Sequence, residues 1–420
     1  IEQVAQLAAR VCSDLDGTPL ADSAHDIRHR IEEPLRVAIA GRVKAGKSTL
    51  LNALIGDRLA PTDAGECTKV VTWYRNGLTY RVLLHDVDGR IEPARFSRTD
   101  DQLDITVGPD PSARLRRITV EWPAQSLEKM TLIDLPGVGS INDHISARSE
   151  QFLQTSERPS EADAVLYLMR HLHDSDMSFL ESFHDLDRSR PGVLNAIGVL
   201  SRADEIGAGR LDSMASARRI ANRYGDDRRL RRLAQIVVPV AGLLAETAAT
   251  LTQAEFTMLR ALAQVPTKEL QPVLLSADRF VEARPETPLT SLERAALLER
   301  FGLFGLRLSM ALLRRGVCQT SVELADELTQ RSGLTDLQTI LTTLFVDRSD
   351  VLKARSALLV VERLCNEAPQ VAGSSALLLD VERIMAGAHP FNELTTLAAL
   401  RSGFVTGKQA DLLELERVLG

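Results

Sequence analysis

A chain of 420 residues and 46.1 kDa is long enough for two or three domains, each with its own core. Its 44% hydrophobic and 25% charged residues are those of a globular protein, and it lacks a run of the roughly 18 apolar residues that a membrane-crossing helix needs. A net charge of −7 with only 4% aromatics argues against a nucleic-acid partner, and the scattered Cys12, Cys67, Cys318 and Cys365, with no metal-type spacing, suit a reducing compartment.

The first residues, Ile1-Glu2-Gln3, carry neither a basic nor an apolar leader segment. Val4, Leu7, Ala8, Val11 and Leu15 then recur at helical spacing. After a turn at Asp16-Gly17-Thr18-Pro19, a second short helix runs through Ile27 and Ile31. An amphipathic helix must bury its stripe, and a helix of the C-terminal half is the expected partner.

The apolar run Val37-Ala38-Ile39-Ala40 reads as a buried strand, and Gly41-Arg42-Val43-Lys44-Ala45-Gly46-Lys47-Ser48-Thr49 follows it as G-x-x-x-x-G-K-[ST]. Ser48 onward is the first turn of a helix through Leu54. In that geometry the backbone N–H groups from Gly41 to Thr49 face phosphate oxygens at a helix N-terminus. Lys47 reaches the β- and γ-phosphates and the Ser48 hydroxyl holds Mg²⁺.

A polar loop over Pro61–Thr68 leads to strand-like segments at Val70–Tyr74 and Tyr80–Leu84, joined by a turn at Asn76-Gly77. Residues 91–113 fit no single element, and Ile118–Trp122 is again a strand. In Met130-Thr131-Leu132-Ile133-Asp134-Leu135-Pro136-Gly137 an apolar strand ends in a carboxylate, at the end of the strand where open α/β sheets bind ligands. Asp134 is therefore a Mg²⁺ ligand acting through water, and the Gly137 N–H is set to sense the γ-phosphate; alternatively Leu-Pro-Gly is only a turn.

Ser140–Ser156 is polar, Ala162–Met169 a buried strand, and Ser175–Leu186 a helix. The strand Ala196–Leu200 ends at Ser201-Arg202-Ala203-Asp204. Asp204 there is suited to accept from guanine N1–H and its exocyclic amine, with the Arg202 stem over the ring, or else simply to cap a helix. An arginine-rich helical stretch over 210–232, divided at Gly225, reads as a solvated face. Ile236–Gly242 closes the sheet and brings a loop that includes Ala241 over the base.

From Leu251 onward helical periodicity dominates, broken near Pro266, Pro285, Gly316, Gly333, Pro369 and Pro390, which implies a helical bundle. Leu334–Val361 forms one or two of its helices. Leu270–Leu275 and Val371–Leu379 are the candidate lipid-facing stretches, each with an ordinary core helix as the alternative. Phe301-Gly302-Leu303-Phe304-Gly305-Leu306 is assigned to a contact between neck and head.

The phosphate loop, Pro61–Thr68 and Leu200–Asp204 together resemble the dynamin-like GTPases, in particular the mycobacterial isoniazid-inducible ones. The resemblance is specific over 36–245 and looser beyond. It implies an α/β P-loop GTPase domain with a mostly parallel central sheet (34–245), N-terminal helices joining the neck (1–33), and an extended all-helical neck and trunk bundle (246–420) that is short for a complete trunk. It also implies GTP and Mg²⁺ as ligands, with Lys47, Lys44, Gly137 and the switch threonine Thr68 as catalytic residues and Ser48, Thr68 and Asp134 at the metal. Gly41 to Thr49, Asp134, Arg202, Asp204 and Ala241 would contact the nucleotide.

Hydrolysis of GTP to GDP and phosphate would then drive membrane remodelling by a cytoplasmic protein held peripherally at the inner face of the plasma membrane. Its trunk tip would touch lipid, and its heads would pair with one another or with a related protein. Two departures stand out. Val43 and Lys44 occupy the places of glutamine and serine in the eukaryotic dynamins, so the water-orienting side chain is missing, and Ser201-Arg202 replaces the usual Thr or Asn and Lys. Lys44 either supplies a fixed charge near the leaving oxygen or faces solvent or a partner head. A slow nucleotide-regulated scaffold and a ribosome-associated GTPase are the competing functions.

Overall fold

A computed structural model describes residues 2–18, 21–61, 70–99, 102–107, 114–137, 161–184, 195–282, 287–367, 369, 373–401, 411 and 414–415. Two helices, α1 (Glu2–Asp14) and α2 (Ala21–Glu32), precede strand β1 (Leu35–Gly41) and helix α3 (Lys47–Ile55). Seven strands follow: β2 (Val71–Asn76), β3 (Arg81–Asp86), β4 (Ile91–Pro93), β5 (Phe96–Thr99), β6 (Gln102–Ile105), β7 (Leu115–Trp122) and β8 (Met130–Asp134). Then come β9 (Ala164–Met169), α4 (Asp174–His184), β10 (Ala196–Ser201), α5 (Ser213–Gly225) and β11 (Val237–Val240).

The main sheet has the order β11-β10-β9-β1-β8-β2-β7-β3-β4. Its half from β11 to β8 is wholly parallel, with Val37 opposite both Leu132 and Ala164. Strands covered on both faces read as apolar runs, as β9 does throughout and β1 and β10 do over Val37–Ala40 and Ala196–Leu200. Beyond β8 the sheet is mixed: β2 runs antiparallel to β8 and parallel to β7, while β3 is antiparallel to β7 and β4. The region 91–113 that fitted no single element holds the short β4 and a separate β5–β6 ribbon.

Alternate residues of the central strands feed opposite cores, as the two-residue repeat requires. Ala38, Ala40, Ile133, Val165 and Tyr167 face a core shared with α4 and α5 and with the helices α6 (Gly242–Ala249), α7 (Gln253–Gln264), α8 (Thr267–Val273), α9 (Ala277–Val281), α10 (Ser291–Arg314) and α11 (Ser321–Ser332). Val37, Ile39, Leu132, Leu166 and Leu168 face α3, α12 (Leu334–Leu341) and Phe345. A third core joins Val4, Leu7, Val11, Leu15, Ile27 and Ile31 of the N-terminal helices to α13 (Ser349–Glu367), α14 (Ser374–Gly387) and α15 (His389–Arg401). The N-terminal stripe is thus buried against C-terminal helices.

Helix starts in the second half are explicit in the sequence. Thr252 and Glu255, Thr290 and Glu293, and Thr320 and Glu323 each form a reciprocal capping box at the start of α7, α10 and α11. The stretch Leu334–Val361 contains two helices separated by a wide turn over Thr342–Val346. Within α10, Gly302 leaves helical geometry (φ 58°, ψ 174°) and kinks the rod. There Phe301, Phe304 and Leu306 are buried, and Gly302 and Gly305 lie against Leu243 and Leu244 of α6. Of the candidate lipid-facing residues, Leu270, Val273 and Leu377 are buried whereas Leu275 and Leu379 are exposed; Val371 lies outside the described residues.

A polar joint connects the third core to the sheet. Arg30 Nε of α2 donates to Asp163 Oδ1 at 2.7 Å, with both side chains at 2% exposure or less, and the Arg36 amide donates to Asp163 Oδ2 at 3.0 Å. Lys353 of α13 donates to the Ile31 and Glu33 carbonyls at 2.9 and 3.0 Å, closing the end of α2.

Candidate nucleotide site

Backbone geometry builds the phosphate end. Gly41 closes β1 at φ 147°, and a Cβ there would stand 2.5 Å from the Leu168 carbonyl oxygen of β9, so only glycine passes. Gly46 precedes α3 in left-handed geometry (φ 93°) with open space where a side chain would be. Arg42, Val43 and Lys44 are exposed at the tip, Val43 to 47%, and Lys44 itself adopts φ 63°. Among the described residues the non-glycine positions with positive φ are Lys44, Arg202 and Ala208. All three lie in or beside the phosphate and base motifs, where backbone strain concentrates when a site over-determines its loops.

Lys47 opens α3, and its Nζ donates to the Gly41 carbonyl at 3.3 Å and the Arg42 carbonyl at 3.5 Å, bridging the loop. Burial pulls its pKa below the usual lysine range, and Asp134 partly restores it. The Ser48 hydroxyl donates to Asp134 Oδ2 at 3.4 Å, while Asp134 Oδ1 is buried with no hydrogen-bond partner among the described residues. Burial pushes that carboxyl up to about 6 despite Lys47 and Ser48. An orphaned buried carboxylate oxygen beside a hydroxyl and an open glycine loop fits a hydrated Mg²⁺, which takes few protein ligands and completes its shell with water and phosphate. No cluster of three or more His, Cys, Asp or Glu suited to a metal occurs among the described residues.

The loop after β8 closes directly on the phosphate loop. A Cβ at Gly137 would lie 2.6 Å from Val43 Cγ2 and 3.0 Å from its Cα, so absence of a side chain lets the two backbones touch. Asn52 fixes the exit from α3: its amide donates to the Ala60 carbonyl and to Glu246, and its oxygen accepts from the Leu59 and Ala60 amides. This shapes the chain entering Pro61–Thr68, whose Thr68 lies outside the described residues.

A cavity of about 120 Å³ joins this end to the base motif. Ala45, Gly46 and Thr49 line it on one side and Ser201, Arg202 and Asp204 on the other, with Leu168, Val199 and Leu243 as apolar walls. Asp204 is buried, and desolvation holds its carboxyl up to about 6. Arg202, at φ 52°, donates to Glu205 at 2.7 Å, and Arg170 reaches the same carboxylate at 2.5 Å. Arg202 and Arg170 act on Asp204 only at a distance, and a buried carboxylate with no ion pair among the described residues is suited to accept from paired N–H donors of a ligand.

The structure therefore brings Ala45, Gly46, Thr49, Arg202 and Asp204 to one cavity, while Gly41, Lys47, Ser48, Asp134 and Gly137 do not line it and gather at the adjoining glycine loop. Ala241 is buried, and its amide donates to the Ser332 carbonyl at 2.8 Å; its neighbours Val240 and Gly242 line the cavity instead. Sequence reasoning missed Leu243 and Glu205. Glu205 is adjacent to the motif and readable as its ion-pair partner; Leu243 carries no local signal.

The profile of the Dynamin family matches residues 37–202. Isoniazid-induced protein IniC of Mycobacterium tuberculosis is 42% identical over 391 residues, covering 93% of this chain and 79% of the relative. A bacterial dynamin-like protein of Nostoc punctiforme is 33% identical over 147 residues, 32% of this chain and 20% of its own. A solved structure described as an oligomerised bacterial dynamin pair for "long-range sensing and tethering of membranes" covers the whole chain and 71% of its own, at 14% identity and a TM-score of 0.35. At that value no arrangement is transferred.

Proposed function

This chain belongs to the dynamin family, and from that premise we propose that it is a Mg²⁺-dependent GTPase that hydrolyses GTP to GDP and phosphate and couples the cycle to a membrane. The observation that carries the reading is the single cavity with a phosphate loop at one end and buried Asp204 at the other. A buried carboxylate is repelled by phosphate and suits a base that offers N–H donors on one edge, as guanine does.

In the proposed mechanism, backbone amides of Gly41–Thr49 and Lys47 hold the β- and γ-phosphates and stabilise charge on the transferring group as water attacks in line. Ser48 directly, with Asp134 through water and Thr68, would hold Mg²⁺, which when bound neutralises charge between those phosphates. Gly137, pressed on Val43, brings its N–H toward the γ-phosphate. Val43 offers no hydrogen-bonding group, so the attacking water depends on Thr68 and on backbone groups. Lys44, exposed and without an ion pair among the described residues, is placed by this reading at an interface between heads.

Residues 34–245 would act as the GTPase head, and residues 1–33 with the helices of 246–420 as the moving arm. The protein would act in the cytoplasm at the inner face of the plasma membrane, with lipid contact through the helical tip. No described helix is long and apolar enough to cross a membrane. Phosphate release by wild type and Lys47→Ala, each with and without anionic or neutral liposomes in a co-sedimentation assay, tests both halves. Release unchanged by the substitution would end the enzyme reading, and failure to bind any liposome with any nucleotide would end the membrane reading.

A further inference from the structure

The segment after Asp204 is held in an unusual way. Gly207, Ala208 and Gly209 adopt positive φ in succession (65°, 61° and 68°), a run that isolated L-residues avoid and that something else must hold. Within the turn the Ala208 amide donates to the Glu205 carbonyl at 3.2 Å, and from outside it Arg307 of α10 binds the carbonyls. Its Nη1 donates to the Ala208 carbonyl at 2.9 Å and the Gly209 carbonyl at 2.7 Å. On the other side Nε and Nη2 donate to Leu274 at 3.0 and 2.8 Å, and Nη2 also to Leu275 at 3.1 Å. All five guanidinium N–H donors are thereby used on backbone carbonyls, with no carboxylate involved. Gly209 also packs closely on α10, where a Cβ would stand 3.4 Å from the Phe304 amide nitrogen. Earlier in the same helix, the Gly302 kink rests against Leu243, which lines the same cavity as Asp204.

From this joint we infer that Arg307 is a positioning residue for guanine recognition. It clamps the turn 207–209 behind Asp204 to α10 and to the 274–275 turn, so the helical half sets how long the base is held. The inference rests on the proposed assignment of Asp204 to the base. It assigns Arg307 no contact with nucleotide and no part in cleavage, so its signature lies in nucleotide retention and not in turnover.

The test uses the whole chain and the release of fluorescent GDP and ADP analogues, with steady-state GTP hydrolysis alongside. Arg307→Ala is expected to release the GDP analogue about tenfold faster and to raise KM for GTP similarly with kcat at saturation unchanged. Arg314→Ala is the control: Arg314 lies two turns on in the same helix and donates to the Ala263 and Val265 carbonyls and the Thr267 hydroxyl, away from the base turn. It is expected to lower the melting temperature while releasing GDP at the wild-type rate.

Release by Arg307→Ala at the wild-type rate, an equal acceleration by Arg314→Ala, or a fall in kcat with KM unchanged would each overturn the inference. If Arg307→Ala does not fold, Arg307→Lys replaces it, since lysine reaches only one side of the joint; release by that variant at the wild-type rate is then the overturning result. Wild type that holds GDP and ADP analogues equally would refute the base assignment itself, an outcome separate from any behaviour of Arg307.

Discussion

The two ends of the cavity are built on different plans. At the phosphate end one run of nine residues, Gly41 to Thr49, supplies the glycines, the lysine, the hydroxyl and the helix N-terminus, and among the described residues Asp134 and Gly137 join it from elsewhere. At the other end the loop carrying Asp204 is held by Arg170 through the neighbouring Glu205, and by a turn clamped from α10 a hundred residues later, with the β11–α6 connection lining the same cavity. On the proposed function, chemistry would be local in the chain and selectivity a tertiary property. Damage at the first end should therefore act on turnover, and damage at the second on which nucleotide is kept and for how long.

The largest expected effect is at the phosphate end. Lys47→Ala should reduce phosphate release at saturating GTP by roughly 100- to 1,000-fold; a variant impaired only in KM would erase the contrast between the two ends. Gly41→Ala comes next, because its Cβ meets the Leu168 backbone and cannot be relieved by a side-chain shift. A loss of about 3 kcal/mol or more is expected in urea unfolding, and a near-neutral result would show that β1 and β9 separate more easily than their register implies. Asp204→Ala should weaken guanine nucleotide binding by ~2 kcal/mol, roughly 30-fold, with little effect on adenine nucleotides. Equilibrium titration of both would sharpen or dissolve the assignment of that end.

The smallest effect concerns pH. Burial raises the Asp134 carboxyl from 3.8 to about 6, so the folded chain holds this proton more tightly than the unfolded chain does. That contribution to nucleotide-free stability is present below about pH 4 and is lost as pH rises through 6. Asp134→Asn removes the titration. It should melt a few degrees higher than wild type at pH 7.5, on the order of 1–2 kcal/mol, with the gap closing as pH falls toward 4, while hydrolysis is impaired. A gap independent of pH would mean that the carboxylate is not strained in the empty site.

What could be read in advance follows the same division. The phosphate loop, β8 ending at Asp134 and β10 ending at Ser201 announce themselves because strand, turn and ligand group are contiguous. Arg307 resembles any arginine on an amphipathic helix, since its partners are carbonyls that every residue possesses. Arg30 likewise reads as solvated charge in α2, yet it is buried against Asp163; pairing across 133 positions leaves no periodic trace. Residues 91–113 are illegible for another reason: β4 and the separate β5–β6 ribbon have strands of three or four residues, too short for alternation to emerge.

The third core has a consequence for the order in which the molecule can be made. Val4, Leu7, Val11 and Ile27 find their partners on helices that begin at Ser349, so more than 300 residues must leave the ribosome before that apolar stripe can be covered. The sheet and the helices packed on it can close first, whereas α1 and α2 wait, exposed to chaperones or to the stripes of neighbouring nascent chains. Docking of α13 is then the step that completes the fold, and with it Lys353 reaches the end of α2 and seals the Arg30–Asp163 joint. A chain interrupted before Ser349 would carry a finished nucleotide pocket on a body prone to aggregate, so quality control that senses the uncovered N-terminal helices would report on the synthesis of the far end.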